Sequence, residues 1–434
     1  MDKMADVLGR AGAWCGQNKY LSAIKNAFQN FMPLTIAGAI GVLWCNVLVN
    51  ESTGLGIFFK PIMALEFLNP AFQAVNFCTI SCITVGITLG IAQEIGVWNM
   101  GAEKAGYIPG LVGLAAWLSV TNTSHMVEGA KEAFTGIAGN ELGATGLFTG
   151  MIIGVLSVEL FCFFEKQDAL KIKMPEQVPP GVARAFEVLV PATITLIITA
   201  CIGSACYNLT GLYLNDVIKN GIQGPLGAVG ATIPGVMIIY LVIMLFWLVG
   251  IHGNNMLSAV KEALFTPLAL ENVEKFNKGE KPTNIINMYA LQMWGEFGGS
   301  GVTIGLVIAI MIFGKREDNK AIATLSLVPG LFNINETVTF GVPMVLNPIL
   351  GIPFVVAPLI TIIIGYVLTV IGFCPVACLT VPWTCPPLIF GFLATGANIM
   401  GAVTQAILIA ISVVIYTPFL ISYEKYQNKQ AVEA

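Results

Sequence analysis

The stretch that decides the fold is residues 233–255, IPGVMIIYLVIMLFWLVGIHGNN. An apolar run over residues 226–250 ends here in a polar cluster, Gly250-Ile251-His252-Gly253-Asn254-Asn255, which holds one of only two histidines in the chain. The run is long enough to lie in lipid, since about 20 apolar residues cross a bilayer as a helix. Polar groups at that depth are costly and usually mark a site. We therefore predict a membrane helix that leads into a functional site.

The composition of the whole chain agrees with this interpretation. Of its 434 residues, 56% are hydrophobic and 11% are charged, whereas a soluble globular protein carries roughly 25% charge. The length allows about ten crossings with their loops. We predict an all-α polytopic membrane protein of about ten transmembrane helices with re-entrant hairpins. The net charge of −4 says nothing useful about partners, and no nucleic-acid partner is expected.

Nine apolar runs are suitable for crossing a membrane, and basic residues cluster between them. If the basic clusters at 166–184 and 315–320 are both cytoplasmic, the positive-inside rule requires one further crossing. We assign it to residues 252–296 as an irregular, partly re-entrant passage, which gives ten crossings with both termini cytoplasmic. The nine runs are 31–50, 76–92, 107–121, 144–164, 188–208, 226–250, 297–314, 355–373 and 399–421.

Two further apolar segments, 322–350 and 375–398, contain several prolines each. Proline lacks an amide donor and clashes with the preceding turn, so neither segment can form one continuous helix. We predict that both are hairpins that enter the membrane and return on the same side.

The runs and charges define five regions. No cleavable signal peptide is evident in the first thirty residues, which are polar and mildly amphipathic. The regions are a cytoplasmic or interfacial N-terminal segment (1–30), an N-terminal membrane half (31–164), an amphipathic interfacial linker (165–187), a C-terminal membrane half with the site and the hairpins (188–421) and a cytoplasmic tail (422–434).

His252 and Glu336 are the two titratable residues most suited to a site. Glu336 lies in a second polar cluster, Asn333-Ile334-Asn335-Glu336-Thr337. Together the clusters offer an imidazole, a carboxylate and carboxamides, which suit a hydroxyl-rich ligand. A carboxylate can also accept a hydroxyl proton as a general base. The alternatives are a helix-end histidine bonded to backbone and a structural network of Glu336 with its two neighbouring asparagines.

Two other motifs have both a site interpretation and a structural one. Gly298-Gly299-Ser300-Gly301 can open a helix onto a ligand, although glycine in membrane helices also serves close packing. Trp383, in Trp383-Thr384-Cys385-Pro386-Pro387, can stack on the apolar face of a sugar ring or belong to an interfacial belt.

A metal site is not expected. The ten cysteines fall mostly inside apolar runs, where thiols behave as small hydrophobes. With two histidines and no CxxC pair, the chain lacks the ligand spacings that bind metals. We expect no cofactor either.

The order of these motifs resembles the EIIC permease component of the bacterial phosphoenolpyruvate-dependent phosphotransferase system, in its lactose, cellobiose and diacetylchitobiose branch. The resemblance covers nearly the whole chain. The motifs that carry it are Gly-Ile-His-Gly at 250–253, Gly-Gly-Ser-Gly at 298–301, Phe-Asn-Ile-Asn-Glu at 332–336, Phe-Gly-Val-Pro at 340–343, Trp-Thr-x-Pro-Pro at 383–387 and Ile-Lys-Met-Pro at 172–175. One departure is Thr337, where a proline is common.

The resemblance implies a multi-pass homodimer in the bacterial cytoplasmic (inner) membrane, surrounded by lipid. The N-terminal half would form the dimer interface, and the C-terminal half would hold one disaccharide per protomer. His252 and Glu336, the latter as candidate general base, would lie near the hydroxyl to be phosphorylated. The further substrate-binding residues that it implies, or that lie in the same clusters, are Asn335, Asn254, Trp247, Gly299, Ser300, Trp383 and Gln93.

The same resemblance implies that the phosphate does not start on this chain. A separate EIIB subunit would carry it on a phosphocysteine and receive it indirectly from EIIA. We expect EIIB in trans because only a short tail follows residue 421. A β-linked disaccharide of the cellobiose type is our expectation for the substrate, with diacetylchitobiose and lactose as alternatives.

Two other classes remain open at this point. A cation-coupled secondary sugar transporter would use Glu336 or His252 to carry a proton. A membrane-embedded enzyme would use them as a catalytic pair, but no nucleophile or metal motif supports it.

Overall fold

The structure, a computed structural model, describes most of the chain. The described ranges are 17–50, 59–125, 134–175, 177–225 and 230–433, with isolated residues 10, 13, 14 and 56. Its residues are 77% helical. Within the described ranges, 6 helices are long and apolar enough to cross a membrane, or 7 if one bent pair counts as a single span. The multi-pass membrane class is therefore confirmed, and the count of about ten crossings stays a prediction.

The predicted apolar runs all contain a helix. The long ones are Lys19–Leu48, Lys60–Met100, Ala144–Glu165, Pro180–Thr210, Gly351–Val370 and Ile399–Gln430; the bent pair is Met288–Val302 with Ile304–Phe313, at 60°; the shorter ones are Ile108–Val120 and Ile233–Leu248. One short antiparallel pair of strands, β1 (Ser124–His125) and β2 (Phe134–Thr135), makes the fold mostly rather than wholly helical.

Packing divides the chain into two units. Among the described residues, the first unit holds 17–38, 75–125, 134–175 and 177–225, and the second holds 39–50, 59–74 and 230–433 with the isolated residues 10, 13, 14 and 56. The helix Pro180–Thr210 thus packs in the first unit. The division into functional membrane halves at 165–187 stays a prediction.

The first unit is built on closely packed apolar helices. Gly113 faces Ala92 so closely that a Cβ on the glycine would lie 2.3 Å from the alanine Cβ, which is the small-residue packing expected in lipid. Its elements are α1 (Lys19–Leu43, which continues into the second unit), α3 (Ile83–Met100), α4 (Ala102–Ala105), α5 (Ile108–Val120), α6 (Gly139–Leu142), α7 (Ala144–Glu165), α8 (Pro180–Thr210) and α9 (Leu214–Ile218). Between α1 and α3 lies α2 (Asn69–Cys78).

The predicted linker 165–187 contains the start of a long helix. Helix α8 begins at Pro180, since proline suits the first helical turn. Its charged first turns are held by Glu165, which is 1% exposed and accepts from Arg184 at 2.9 Å and from Lys104 at 2.9 Å. The assignment of 165–187 as an amphipathic interfacial linker stays a prediction.

The second unit carries both polar clusters. Its helices after residue 229 are α10 (Ile233–Leu248), α11 (Gly253–Asn277), α12 (Met288–Gly295), α13 (Ile304–Phe313), α14 (Glu317–Leu331), α15 (Glu336–Gly341), α16 (Gly351–Val370), α17 (Ile389–Ala394) and α18 (Ile399–Glu433). Short 3₁₀ or π turns lie at Trp44–Leu48, Lys60–Leu68, Ile80–Cys82, Asp168–Leu170, Lys219–Gln223 and Ser300–Val302.

The predicted irregular passage at 252–296 is wrong in its first part. Residues Gly253–Asn277 form one continuous helix despite Pro267. The polar side chains that suggested irregularity have partners: Lys261 bonds Glu296, and Asn272 bonds the backbone of Thr283, Asn284 and Ala377. Paired polar groups do not force a helix to unwind.

The two proline-rich segments contain breaks, as predicted. Helix α14 runs through Pro329 and ends at Leu331, and α15 begins at Glu336. In the other segment, residues 375–388 form no helix, and α17 follows. Whether these hairpins enter the membrane and return on one side stays a prediction.

Candidate functional site

His252 lies at the N-cap of α11 and is turned outward by its glycine neighbours. Its Nδ1 accepts a hydrogen bond from the backbone N–H of Asn255 at 3.2 Å, which leaves Nε2 for other partners. Gly250 has φ +82°, in the left-handed region that favours glycine. A Cβ on Gly253 would lie 2.0 Å from the carbonyl oxygen of Ile243. The two glycines therefore allow the turn that presents the imidazole.

Glu336 faces His252 from the start of α15. Its Oε1 lies 3.8 Å from Nε2 of His252, and the two side chains are 46% and 38% exposed. The structure therefore brings together the two residues that the sequence singled out from separate clusters. An open carboxylate beside an imidazole can bind adjacent hydroxyl groups and can accept a hydroxyl proton.

Asn335, Ser300 and Asn254 form a bonded layer beside this pair. Nδ2 of Asn335 donates to the Ser300 carbonyl oxygen at 2.9 Å and to Oγ1 of Thr339 at 3.1 Å. Nδ2 of Asn254 donates to Oγ of Ser300 at 3.2 Å. Ser300 and Asn335 are each 4% exposed, so both are buried support for the partly exposed pair of His252 and Glu336. Oδ1 of Asn254 is buried and accepts no hydrogen bond from the described residues.

Gly299 is packed tightly against the same layer. Its φ is +87°, and a Cβ there would lie 2.7 Å from the Asn335 Cβ and 2.9 Å from the Asn333 carbonyl oxygen. Only a residue without a side chain fits both the conformation and the space. Gly299 therefore serves close packing, which is one of the two interpretations of the glycine-rich motif, and the other, that the motif opens onto a ligand, stays a prediction.

The two predicted tryptophans are placed differently. Trp383 is 45% exposed and can offer a ring face to a ligand. Trp247 is 1% exposed, with its ring centroid 4.4 Å from that of His252 and its edge against Phe354. Trp247 is therefore a buried neighbour that supports the imidazole. The sequence did not show this, because it does not reveal which of the two tryptophans is buried.

Gln93 lies in the first unit, on α3. Its Nε2 donates to the Gly106 carbonyl oxygen, and its Oε1 accepts from the Gly110 N–H at 3.2 Å. Both ends of its carboxamide are thus used by neighbouring backbone.

Sequence reasoning missed a cluster of Lys261, Glu296 and Tyr240. The Lys261 ammonium pairs with Oε1 of Glu296, and the Tyr240 hydroxyl donates to the same oxygen at 2.7 Å. The available signal was a carboxylate, Glu296, two residues before the Gly-rich motif. Its partners lie on α10 and α11, which no local pattern connects.

The fold and these contacts define a class of protein: a multi-pass membrane protein whose polar site suits a hydroxyl-rich solute. The comparisons identify the family. A family model described as Phosphotransferase system, EIIC, matches residues 25–358, which is well over half of the chain. This chain therefore belongs to the EIIC family of the phosphotransferase system, the sugar-permease components that work with EIIB and EIIA in the bacterial inner membrane.

Relatives match over nearly the full length. The chain is 33% identical to the oligo-beta-mannoside-specific EIIC component of Bacillus subtilis, over 100% of this chain and 97% of the relative. It is 29% identical to the cellobiose-specific EIIC component of Lactococcus lactis, over 98% of each. The crystal structure of ChbC, the IIC component from the N,N'-diacetylchitobiose-specific phosphotransferase system, superposes with a TM-score of 0.88 at 30% identity and covers 96% of each chain.

Proposed function

We propose that this chain binds and translocates a β-linked disaccharide and presents its 6-hydroxyl to a separate EIIB subunit. The observation that carries the proposal is the His252–Glu336 pair, with 3.8 Å between Nε2 and Oε1 and both side chains partly exposed. A sugar offers adjacent hydroxyls that match such a donor and acceptor set. The family works with EIIB and EIIA, and in this proposal EIIB carries the phosphate, so a hydroxyl bound at this pair is its acceptor.

In the proposed reaction, Glu336 acts as the general base. Its carboxylate accepts the proton of the 6-hydroxyl while the oxygen attacks the phosphorus of the EIIB phosphocysteine. The new O–P bond forms as the S–P bond breaks, and the thiolate leaves with EIIB. His252 bonds the same or the neighbouring hydroxyl and holds it in line, since phosphoryl transfer depends mainly on positioning.

The remaining predicted residues have supporting roles in this proposal. Trp383 stacks on the apolar face of one sugar ring. Asn254, whose buried Oδ1 has no hydrogen-bond partner among the described residues, turns this oxygen toward a sugar hydroxyl in the bound state. Asn335, Ser300 and Gly299 form the buried layer beside Glu336, and Trp247 holds the His252 ring in place. Gln93 stays a predicted sugar-binding residue that rests on the family resemblance alone.

A cellobiose-type glucoside is the proposed substrate. The names of the relatives specify oligo-beta-mannoside, cellobiose, lichenan and lactose, which share β-linked sugar units. A site that binds one face of a ring and one primary hydroxyl suits any of them. Lactose and diacetylchitobiose therefore serve as competitors in the test.

We also propose a homodimer formed through the N-terminal membrane half, 31–164, with both termini and the loops at 166–184 and 315–320 cytoplasmic. The support is the family resemblance and the concentration of basic residues in those loops. EIIB would then reach the sugar from the cytoplasmic side, in trans. Translocation would move the site-bearing half against the dimeric half.

The test is a binding and phosphorylation assay on the purified protein. Calorimetry with cellobiose, lactose and diacetylchitobiose should show the strongest binding for cellobiose. Vesicles that contain EIIB already phosphorylated on its cysteine should accumulate the sugar 6-phosphate. Accumulation of unmodified sugar that depends on a proton gradient would instead establish the cation-coupled alternative, which no described contact favours.

A further inference from the structure

Asn333 lies where three separate segments of the second unit meet. Its Oδ1 accepts a hydrogen bond from the backbone N–H of Gly298 at 2.7 Å. Its Nδ2 donates to the carbonyl oxygens of Trp383 and Cys385, the latter at 3.1 Å. One side chain thus joins the break between α12 and α13, the turn between α14 and α15, and the segment before α17.

The backbone at Asn333 closes helix α14. Asn333 has φ +62°, its N–H bonds the Gly330 carbonyl at 3.0 Å, and the Ile334 N–H bonds the Pro329 carbonyl at 3.0 Å. This is the Schellman pattern, in which the left-handed residue after the helix is usually glycine and sometimes asparagine. Glycine would close the helix equally well. The asparagine side chain therefore adds something beyond the cap, namely its three bonds to other segments.

Those bonds end at elements of the proposed sugar site. Trp383, whose main chain Asn333 holds, has a ring that is 45% exposed. Gly298 precedes the Gly299-Ser300 backbone that packs against Asn335. Glu336 lies three residues after Asn333 in the sequence. A shift of Asn333 would therefore change the spacing between Trp383 and Glu336.

We propose that Asn333 is a positioning residue that determines which disaccharides the site accepts, because it fixes the Trp383 ring relative to Glu336. This inference rests on the proposed function, since it concerns the same site. An aromatic ring held at a fixed distance from Glu336 discriminates between sugars that differ at one hydroxyl, whereas a mobile ring does not. Asn333 acts through Trp383 and the glycine loop and need not touch the sugar itself.

Two substitutions separate the cap from the cross-links. Asn333→Gly keeps the left-handed conformation and removes all three side-chain bonds. Asn333→Asp keeps an acceptor for the Gly298 N–H but cannot donate to the two carbonyls, so it releases Trp383 and Cys385 alone. Asn347→Asp is the matched control, because Asn347 also makes three bonds, to Pro343, Ile349 and Leu350, all within its own turn.

The first readout is the ratio of the dissociation constants for lactose and cellobiose, measured by calorimetry together with the thermal midpoint. Both Asn333 variants should bind the preferred sugar about tenfold more weakly, since both lose at least the two hydrogen bonds to the Trp383 and Cys385 carbonyls, and the ratio should move toward one. The Asn347→Asp protein should keep the wild-type ratio. An unchanged ratio in stable Asn333 variants would overturn the positioning role alone, whereas a wild-type protein that binds no disaccharide would overturn the proposed function with it.

The second readout needs no sugar. In a protein that retains only Cys385 among its cysteines, release of the Cys385 carbonyl should speed thiol labelling several-fold in both Asn333 variants and not in Asn347→Asp. Unchanged labelling would argue that Asn333 does not hold this segment. If neither Asn333 variant folds, Asn333 is a folding residue and the proposal is wrong.

Discussion

Lys261 and Glu296 form an ion pair in the interior of the second unit, where their side chains are 7% and 15% exposed. The Tyr240 hydroxyl bonds the same carboxylate, and the Lys261 ammonium also lies 5.4 Å from the centroid of the Tyr240 ring. One carboxylate thus connects α10, α11 and the break between α12 and α13. His252 caps the helix that carries Lys261, so the ion pair and the imidazole belong to the same helix.

Neutralising one member of this pair should destabilise the protein strongly. Glu296→Gln keeps an acceptor for Tyr240 but leaves the Lys261 ammonium buried without a counter-charge, which typically costs about 3–5 kcal/mol. Adding Lys261→Met should recover most of that loss, because a buried ion pair can be replaced by apolar groups at little cost. Thermal unfolding of the two single variants and the double variant measures the coupling.

The matched control for these substitutions is the ion pair of Lys320 with Glu317. It has the same charges at 3.1 Å, but its side chains are 40% and 87% exposed. Glu317→Gln should change stability by less than about 1 kcal/mol. Equal losses at Glu296 and Glu317 would show that burial of the first pair does not matter.

Gly299→Ala should damage the site, and Gly279→Ala should not. Both glycines have positive φ, +87° and +72°, so both substitutions carry backbone strain of about 1 kcal/mol. A Cβ at Gly279 meets nothing within 4 Å, whereas one at Gly299 lies 2.7 Å from Asn335. Calorimetry should show sugar binding lost only at Gly299. Equal binding by the two variants would mean that the buried layer beside Glu336, which includes Asn335, can move without loss of sugar binding.

The sequence predicted the apolar helices well, because a long apolar run reports its own preference for lipid. It did not predict that Gly253–Asn277 is a single helix. Lys261 made that segment look too polar, since the carboxylate that pairs with it, Glu296, is distant in sequence. Partners of this kind cannot be read from a local pattern.

For the candidate site, the sequence pointed to two residues that lie close together, but it did not show which of the predicted residues are exposed and which are buried. His252 and Glu336 were singled out because charge and polarity are costly in an apolar chain, and the structure brings them together. Trp247 and Trp383 looked equivalent, yet one is buried and the other half-exposed. Asn333 looked like part of a local network, and its three partners lie in two other segments.

The proposed orientation predicts which loops stay protected from outside. Asp168 and Glu317 are 81% and 87% exposed and take part only in short-range surface ion pairs, so cysteine at either position should cost little stability. In a protein freed of its ten native cysteines, both should resist an impermeant thiol reagent in intact cells and react after permeabilisation. Rapid labelling of both from outside would reverse the assigned topology.

Glu336→Gln should separate binding from phosphoryl transfer. The amide keeps the shape of the side chain but cannot accept the hydroxyl proton. Loss of the charge-assisted hydrogen bond should weaken sugar binding by about 1.5–3 kcal/mol, while phosphorylation at saturating sugar should fall by roughly 10²–10⁴-fold, as for loss of a general base. Glu274→Gln, at an exposed ion pair with Lys278, is the control. Wild-type phosphorylation by the Glu336 variant would remove the general-base role.

His252 has two separable tasks, since Nδ1 caps α11 and Nε2 faces Glu336. His252→Asn should keep the cap, because asparagine is among the best N-cap residues, and lose the contact through Nε2. His252→Ala should lose both, with an additional fall in stability of about 0.5–2 kcal/mol. Both variants should bind the disaccharide about 1–3 kcal/mol more weakly, roughly 5- to 150-fold.

Calorimetry and thermal unfolding of these two variants distinguish three roles for His252. A ligand contact gives weak binding in the stable Asn variant. A purely structural histidine gives normal binding in Asn and a loss in Ala that follows the thermal midpoint. A proton carrier gives normal binding in both but no uptake driven by a proton gradient. Because the imidazole is open on the Glu336 side and bonded on the other, the first outcome is the one we expect, and wild-type affinity in the Asn variant would exclude it.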